Sequence, residues 1–350
     1  MEWSDVGANV MPSKKAERFT ESTETIIDAL RSDNRRLTKH VGNLERKLRV
    51  ATTLRAVDAR IPKWTAQKRR SKALQAAPVL LLSDWHFGET VDLRVMDGWN
   101  EYDDAIAKAR WERVINQTPD MVDRHMHGYG VPFAVVALVG DMLSGDIHDE
   151  LAKTNHFTTP RTVSTWVPRI AAGLRHLADT LPTDRIIVPC VDGNHDRLDK
   201  RTPMKRRAES SLTWIIYQWV ADQLRDDDRF HFVISQSSDV RLPIFDEHHL
   251  FVHGDAARGG GGIGGIWPPI MRYTTKLRDV YAAQQQPIDQ VNMGHFHQYV
   301  IGRGFLVNGS GKGYDEYARR SAFAPEPAQQ ALYAVAPDRG VIFHAPVHAT

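Results

Sequence analysis

Five short motifs hold most of the side chains in this sequence that can bind a metal ion or move a proton. They are Asp84-Trp85-His86, Gly140-Asp141, Gly193-Asn194-His195-Asp196, His253-Gly254-Asp255 and Gly294-His295-Phe296-His297. Each lies at or just after the end of a short apolar run that reads as a strand, and strand C-termini are where open α/β sheets place their ligand sites. In Asp84-x-His86 and His295-x-His297 the donors stand two residues apart, so an extended backbone would project both to one side. Glycines beside Asp141, Asn194, His253 and His295 let the backbone turn tightly and approach an ion or a phosphate.

Imidazole, carboxylate and amide oxygen without a thiolate suit Mn2+ first, with Fe, Zn2+ and Mg2+ also compatible, rather than a structural zinc. The seven donors Asp84, His86, Asp141, Asn194, His253, His295 and His297 are too many for one catalytic ion. They fit two ions that share a carboxylate. Two divalent cations bring more charge than Asp84 and Asp141 return, and the surplus serves to bind a phosphate and hold a hydroxide. Any one of these pairs alone is weak, because a buried histidine is commonly satisfied by backbone groups. Five in order, each at a strand end, point to one shared site.

The elements that must position these motifs can be read from periodicity. Strands are predicted at Val79–Ser83, Phe133–Val139, Ile186–Val191, Phe230–Ile234, Leu250–His253 and Gln290–Met293. Helices are predicted within Asp103–His127, Thr162–Leu181, Ala208–Arg225 and Pro268–Gln284. Such alternation predicts an α/β domain over residues 78–350, with further strands and turns from Phe305 onward. Trp85 and Phe296 alternate with donors and are expected to pack the core. The single cysteine, Cys190, sits in the apolar run Ile186–Val191 and reads as packing; one cysteine rules out a disulfide framework and suits a reducing, cytoplasmic setting.

The head of the chain is different. Residues 1–72 hold 17 Lys and Arg against 9 Asp and Glu, while the rest of the chain is net acidic. Residues 1–19 read as disordered. Over 20–59 a helix is expected in which Ile27, Asn34, Val41 and Leu48 alternate with Leu30, Leu37, Leu44 and Ala51 at coiled-coil spacing, so residues 20–55 predict a homodimer. The alternative is an amphipathic helix lying on the body of the protein, and Gly42 weighs toward it. Residues 60–77 read as a linker, basic from Arg60 to Lys72, fit either to touch nucleic-acid phosphates or simply to stay solvated. No run approaches a membrane span. The stretch Gly259–Gly265 reads as a surface loop, or as a mobile rim of the site with Trp267 available to stack on a base.

The motif order D-x-H, G-D, G-N-H-D, H-G-D, G-H-x-H resembles the calcineurin-like metallophosphoesterases over about Val79 to Asn308. That resemblance implies a two-sheet sandwich flanked by helices. It assigns Asp84, His86 and His297 to one metal, Asn194, His253 and His295 to the other, and Asp141 to a bridge. It puts His195 against the scissile phosphate, where it would stabilise the transition state or protonate the leaving oxygen, with Asp196 either orienting it or serving the turn. Gly140-Asp141-Met142-Leu143-Ser144-Gly145 departs from the Ser/Thr phosphatase pattern, and Gly193-Asn194-His195-Asp196 is more similar to the repair-exonuclease and cyclic-nucleotide phosphodiesterase branches. The nearest further histidine, His148, leaves its role open. The tail from Val307 through Tyr317 resembles phage-encoded members of the family. The expected activity is therefore a two-metal phosphodiesterase, a nuclease on DNA or RNA, with a small nucleotide or other phosphoester as the alternative substrate. From another class, the coiled coil would make the chain an interaction module.

Overall fold

The computed structural model describes residues 14–55, 74–258 and 265–350, with side chains described from residue 25 to 48 in the first stretch. The chain divides into two units, Met1–Arg70 and Ser71–Thr350. In the first, α1 runs Lys14–Arg55. It starts earlier than expected, taking in Lys14–Phe19 from the stretch read as disordered; Lys, Ala, Glu and Arg there are good helix formers. Ile27, Leu30, Leu37, Val41, Leu44 and Leu48 are 40% to 65% exposed. The basic segment Arg60–Lys72 lies outside the described residues.

The second unit begins before the expected boundary at residue 78, with β1 (Leu74–Gln75) and β2 (Ala77–Leu82). There follow α2 (Asp104–His125), β3 (Tyr129–Gly130), β4 (Ala134–Val139), α3 (Asp149–Thr154), α4 (Thr159–Thr180) and β5 (Ile186–Val191). Next come α5 (Leu212–Gln223), β6 (Phe230–Ile234), β7 (Asp239–Ile244), β8 (Glu247–Val252), α6 (Trp267–Ala283) and β9 (Gln290–Met293). The chain ends with β10 (Val300–Gly302), β11 (Phe305–Val307), α7 (Glu316–Arg320), β12 (Gln329–Ala336) and β13 (Gly340–His348). One sheet has the order β13-β12-β2-β4-β5-β6 and the other β10-β11-β9-β8-β7.

Period-two burial makes this a sandwich. Val79 and Leu81 on β2, with Val135, Ala137 and Val139 on β4, pack against Val240, Leu242, Ile244 and Phe251 of the second sheet. Leu80, Leu82, Val136 and Leu138 point the other way, into a core with Trp111, Trp166, Ile170 and Ile216 of α2, α4 and α5. The outer face of the second sheet packs Leu250, Val252, Val291 and Met293 against Ile270 of α6. The result is a mixed α/β domain of two sheets flanked by helices. Asp103 caps α2, its carboxylate accepting from Ile106 N at 2.8 Å. In β5, Pro189 has no N–H, and the β4–β5 ladder skips Val188 and Pro189 before resuming at Cys190.

β2, β4 and β5 lie side by side and parallel. The loops leaving their C-terminal ends therefore emerge at one edge, carrying the first three motifs. β8 and β9, parallel neighbours in the other sheet, deliver the last two.

Candidate metal centre

The loops after β2 and β4 stay paired beyond the sheet: Asp84 N donates to Gly140 O at 3.2 Å and His86 N to Asp141 O at 3.1 Å. The donors are not on extended backbone, contrary to the expectation from their spacing. Asp84, His86, Asp141, His295 and His297 all have φ between 47° and 69°. A non-glycine residue takes that left-handed region at a cost, and such residues cluster at functional sites. The turn serves to send each donor back toward the middle of the cleft instead of out along the strand. Glycine is required at Gly140, whose φ is 80° and where a Cβ would stand 2.7 Å from His253 Nδ1.

Backbone amides hold the two carboxylates. Asn194 N and His195 N donate to Asp141 Oδ1 at 2.7 and 2.9 Å, and His295 N donates to both oxygens of Asp84 at 3.0 and 3.1 Å. Ser83 Oγ adds a 2.5 Å bond to Asp84 Oδ2. Burial alone would raise both acids, but His297 beside Asp84 and the charge of His253 beside Asp141 hold them below the ordinary carboxylate range.

The remaining polar atoms crowd together, with one ring proton or none between each pair. His253 Nδ1 lies 2.9 Å from Val139 O, which only an Nδ1–H can satisfy. Its Nε2 is then bare in the neutral ring, yet it sits 3.0 Å from Asp141 Oδ2 and 3.0 Å from Asn194 Oδ1. His86 Nε2 is 3.1 Å from His297 Nε2, while His86 Nδ1 is 3.3 Å from Glu89 Oε2. His297 Nε2 is also 3.4 Å from Asp84 Oδ1. Contacts so close need a shared proton or a cation between them. Without a cation a proton serves at His253, where burial lowers the pKa but Asp141 overrides it and raises it to about 10. His86 and His295 move the other way, pushed down by burial, His295 to about 4. Two sets of ligand atoms lie within 4.8 Å of one another, Asp84–His86–His297 and Asp141–His253–His295, and a third joins His86 and Asp141 to His195. The donor chemistry and spacing fit divalent cations.

Not every expected partner arrives. Asp196 is fully buried, and its Oδ1 accepts from Ser211 Oγ at 2.9 Å. Its Oδ2 and the Nδ1 of His195 have no hydrogen-bond partner, so the two do not bond to each other. Burial and the nearby charge of Asp141 raise the Asp196 carboxyl to about 8, which suits a neutral acid bonded at the turn better than an orienting anion. His195 stands edge-on to His86, ring centroids 4.6 Å apart, and burial lowers its pKa. His148 is exposed and 5.5 Å from the His195 ring. Trp85 is fully buried and T-shaped on Trp111 at 5.1 Å, while Phe296 is partly buried in the outer core, as expected for both. Residues 259–264 lie outside the described residues, and Trp267 is half-exposed with its ring edge-on to Phe305.

Two groups escaped the sequence reading. Behind His86, Glu89 Oε1 accepts from the buried Lys312 Nζ at 2.7 Å, and Lys312 also donates to Asp315 Oδ2 at 2.5 Å. Behind Asn194, Arg207 donates to Asp192 Oδ2 at 2.7 Å and to both oxygens of Asp255 at 3.0 and 2.9 Å, tying the third motif to the fourth. Arg207 closes a basic run, Arg197 to Arg207, with six Lys or Arg against the single acid Asp199. That run stood next to a motif and was legible in composition.

No family model matches the chain, and no curated protein matches it. Among solved structures it is similar to a predicted phosphoesterase from Streptococcus pneumoniae TIGR4, at 10% identity over 78% of this chain and 99% of that one, TM-score 0.29. It is similar to the calcineurin-like phosphoesterase YfkN from Bacillus subtilis, at 10% identity over 79% and 91%, TM-score 0.32. Vacuolar Protein Sorting 29 from Cryptosporidium parvum is similar at 12% identity over 78% and 98%, TM-score 0.31. At so slight an overlap these likenesses decide nothing by themselves. No helix among the described residues is long and apolar enough to cross a membrane.

Proposed function

We propose that this chain is a metal-dependent phosphodiesterase that hydrolyses a polynucleotide, DNA or RNA, at a two-metal centre. The observation that carries the reading is the convergence of buried carboxylate and imidazole ligand atoms, in sets that lie within 4.8 Å of one another. Asp84, His86 and His297 would hold one divalent cation and Asn194, His253 and His295 the other, with Asp141 between. Asp141 Oδ2 is buried and faces His253 Nε2 at 3.0 Å, within the set of converging ligand atoms where a bridging carboxylate would stand. The cations, when bound, supply Lewis acidity toward the phosphoryl group and acidify water at the site.

The chain's own residues do the rest. The Glu89 carboxylate lies 3.3 Å from His86 Nδ1, and its charge favours the tautomer protonated there, which turns the Nε2 lone pair into the centre. The amides of Asn194, His195 and His295 keep both carboxylates ionised and fixed before any ligand arrives. His195, neutral because of its burial, presents ring nitrogens to a phosphate with no carboxylate to draw them away, and would donate to a phosphoryl or leaving-group oxygen.

The motif order's resemblance to calcineurin-like enzymes and the basic run beside the third motif support the nuclease reading. The exposed stripe on α1 supports a homodimer through residues 20–55. A cleft of about 620 Å³ opens beside Asn194, His253 and His295, a size that would also take a small nucleotide. A Mn2+-supplemented screen over single- and double-stranded DNA, RNA, cyclic nucleotides and bis-p-nitrophenyl phosphate separates the two substrates. Mn2+ titration should give two ions per chain, and Asp141→Asn should lose metal and turnover while keeping its fold. An Asp141→Asn protein with full metal occupancy and normal rates would sink the assignment.

A further inference from the structure

The cleft beside Asn194, His253 and His295 is larger than one phosphate needs, and its walls are basic. It is lined by four arginines, Arg197, Arg206, Arg207 and Arg258. Two of them are committed. Arg197 donates to the carbonyls of Asn194 and Lys200, and Arg207 is bound to Asp192 and Asp255. The lining carboxylates are committed as well. Asp255 is held by Arg207, and Asp239 accepts from Ser237 Oγ at 2.6 Å and Tyr281 Oη at 2.7 Å. Arg206 and Arg258 remain, both exposed and, among the described residues, without an ion pair.

These two come from separate segments, one after the Asn194 motif and one after the His253 motif, and meet in one cleft. Arg206 is held firmly for a surface residue. Its φ is 53°, a conformation an arginine does not choose freely, and its carbonyl accepts from Ser210 N at 3.1 Å. Two guanidiniums without an ion pair, in a cleft whose other charged side chains are already hydrogen-bonded, are suited to an anion with several oxygens, since the planar fork binds phosphate bidentately. The scissile phosphate is already provided for by the metal-site donors. A second anion in the same cleft is what a polynucleotide carries at the next linkage and a simple monoester lacks.

We infer that Arg206 and Arg258 form a subsite for the phosphate adjacent to the scissile one on a nucleic-acid strand. The inference rests on the phosphodiesterase reading and narrows it to substrates with consecutive phosphodiester linkages. Met204, 88% exposed and also lining the cleft, gives the intervening nucleoside an apolar contact.

The test uses the full-length Mn2+-loaded protein and a fluorescently labelled phosphorothioate DNA dodecamer, which resists cutting while binding is followed by anisotropy across a salt series. The Arg206→Ala/Arg258→Ala variant should bind roughly tenfold or more weakly. Its plot of log K against log salt should be shallower by about one, the mark of a lost phosphate contact. With ordinary DNA, the ratio of kcat/KM for the oligonucleotide to that for bis-p-nitrophenyl phosphate should fall about tenfold. Unchanged metal content and melting temperature show that the variant is intact. Equal affinity and equal salt slope in variant and wild type would overturn the subsite, as would a wild type that does not bind the dodecamer. Arginine-dependent binding with no cutting of DNA or RNA supports the subsite and refutes the nuclease reading instead.

Discussion

Lys312→Met probes the support behind the metal centre. The lysine ammonium lies between Glu89 and Asp315, and all three side chains are less than a tenth exposed. Methionine keeps the apolar stem and deletes the charge, leaving two buried carboxylates without a counter-ion. Breaking a buried pair from one side costs about 3–5 kcal/mol. Here the loss should fall near the lower end, about 3 kcal/mol, because one carboxyl can take up a proton. For a domain of this size each kcal/mol moves the melting temperature by about 2 °C, so a drop of about 6 °C is expected by calorimetry. Glu89 would no longer be held against His86, and Mn2+ affinity by titration calorimetry should weaken about tenfold.

The pH dependence of that difference follows from the signs. Asp315 is pulled up by burial but held well below its ordinary value by Lys312, so its contribution is complete above its unfolded pKa of about 3.9 and fades as pH falls through the folded one. Burial lowers Lys312, but Asp315 and Glu89 raise it further, so its contribution persists until pH passes above its unfolded value of about 10.4. In the variant the carboxyl that takes up a proton makes folding progressively costlier as pH rises, so the melting difference should widen from about pH 4 upward and shrink below it. Adding Glu89→Gln and Asp315→Asn to Lys312→Met should restore most of the stability but not the metal affinity. A Lys312→Met protein melting within about 2 °C of wild type, with the same Mn2+ affinity, would refute the reasoning.

Two further outcomes are expected. His195→Ala should keep its metals and lose about 10²- to 10⁴-fold in kcat, since a group acting on the transition state leaves binding largely intact; equal loss of metal would make His195 the ligand its grouping with His86 and Asp141 allows. Deleting α1 should convert a dimer to a monomer by light scattering, and Asn34→Leu should tighten association while admitting higher oligomers; a full-length chain that is monomeric at micromolar concentration would refute the pairing.

The strands that carry the motifs were legible because each has apolar residues running up to a motif with a glycine or a donor at its end. Ile186–Val191 and Gln290–Met293 fall where expected. β7 was not, since Asp239-Val240-Arg241-Leu242-Pro243-Ile244 contains a proline; the structure tolerates it at the edge of the sheet. The side chains that converge in the cleft could be picked out from residue types alone, but their backbone could not. Spacing by two is equally compatible with an extended strand and with alternate left-handed residues. Glu89 and Lys312 were invisible for another reason: 223 residues separate them, and each alone reads as a solvated surface charge. Of the two roles open to Asp196, the bond from Ser211 Oγ fits the turn, and adjacency in sequence could not choose because it says nothing about which way a carboxylate turns.

The strained backbone and the amide bonds to the carboxylates are two sides of one device. Left-handed turns at Asp84, Asp141 and His295 cost free energy, and each is bound into the same hydrogen-bond system. The His295 turn presents its N–H to Asp84, and the turn at Asn194 and His195 presents two to Asp141. Those bonds occupy one oxygen of Asp141 and leave the other, Oδ2, facing His253 Nε2 at 3.0 Å. A proton on His253 Nε2 serves Asp141 Oδ2 and Asn194 Oδ1, and one ring proton joins His86 to His297. Cations held there would compete with those protons for the same lone pairs, so metal binding should release protons and raise the melting temperature, as any ligand of the folded state alone does.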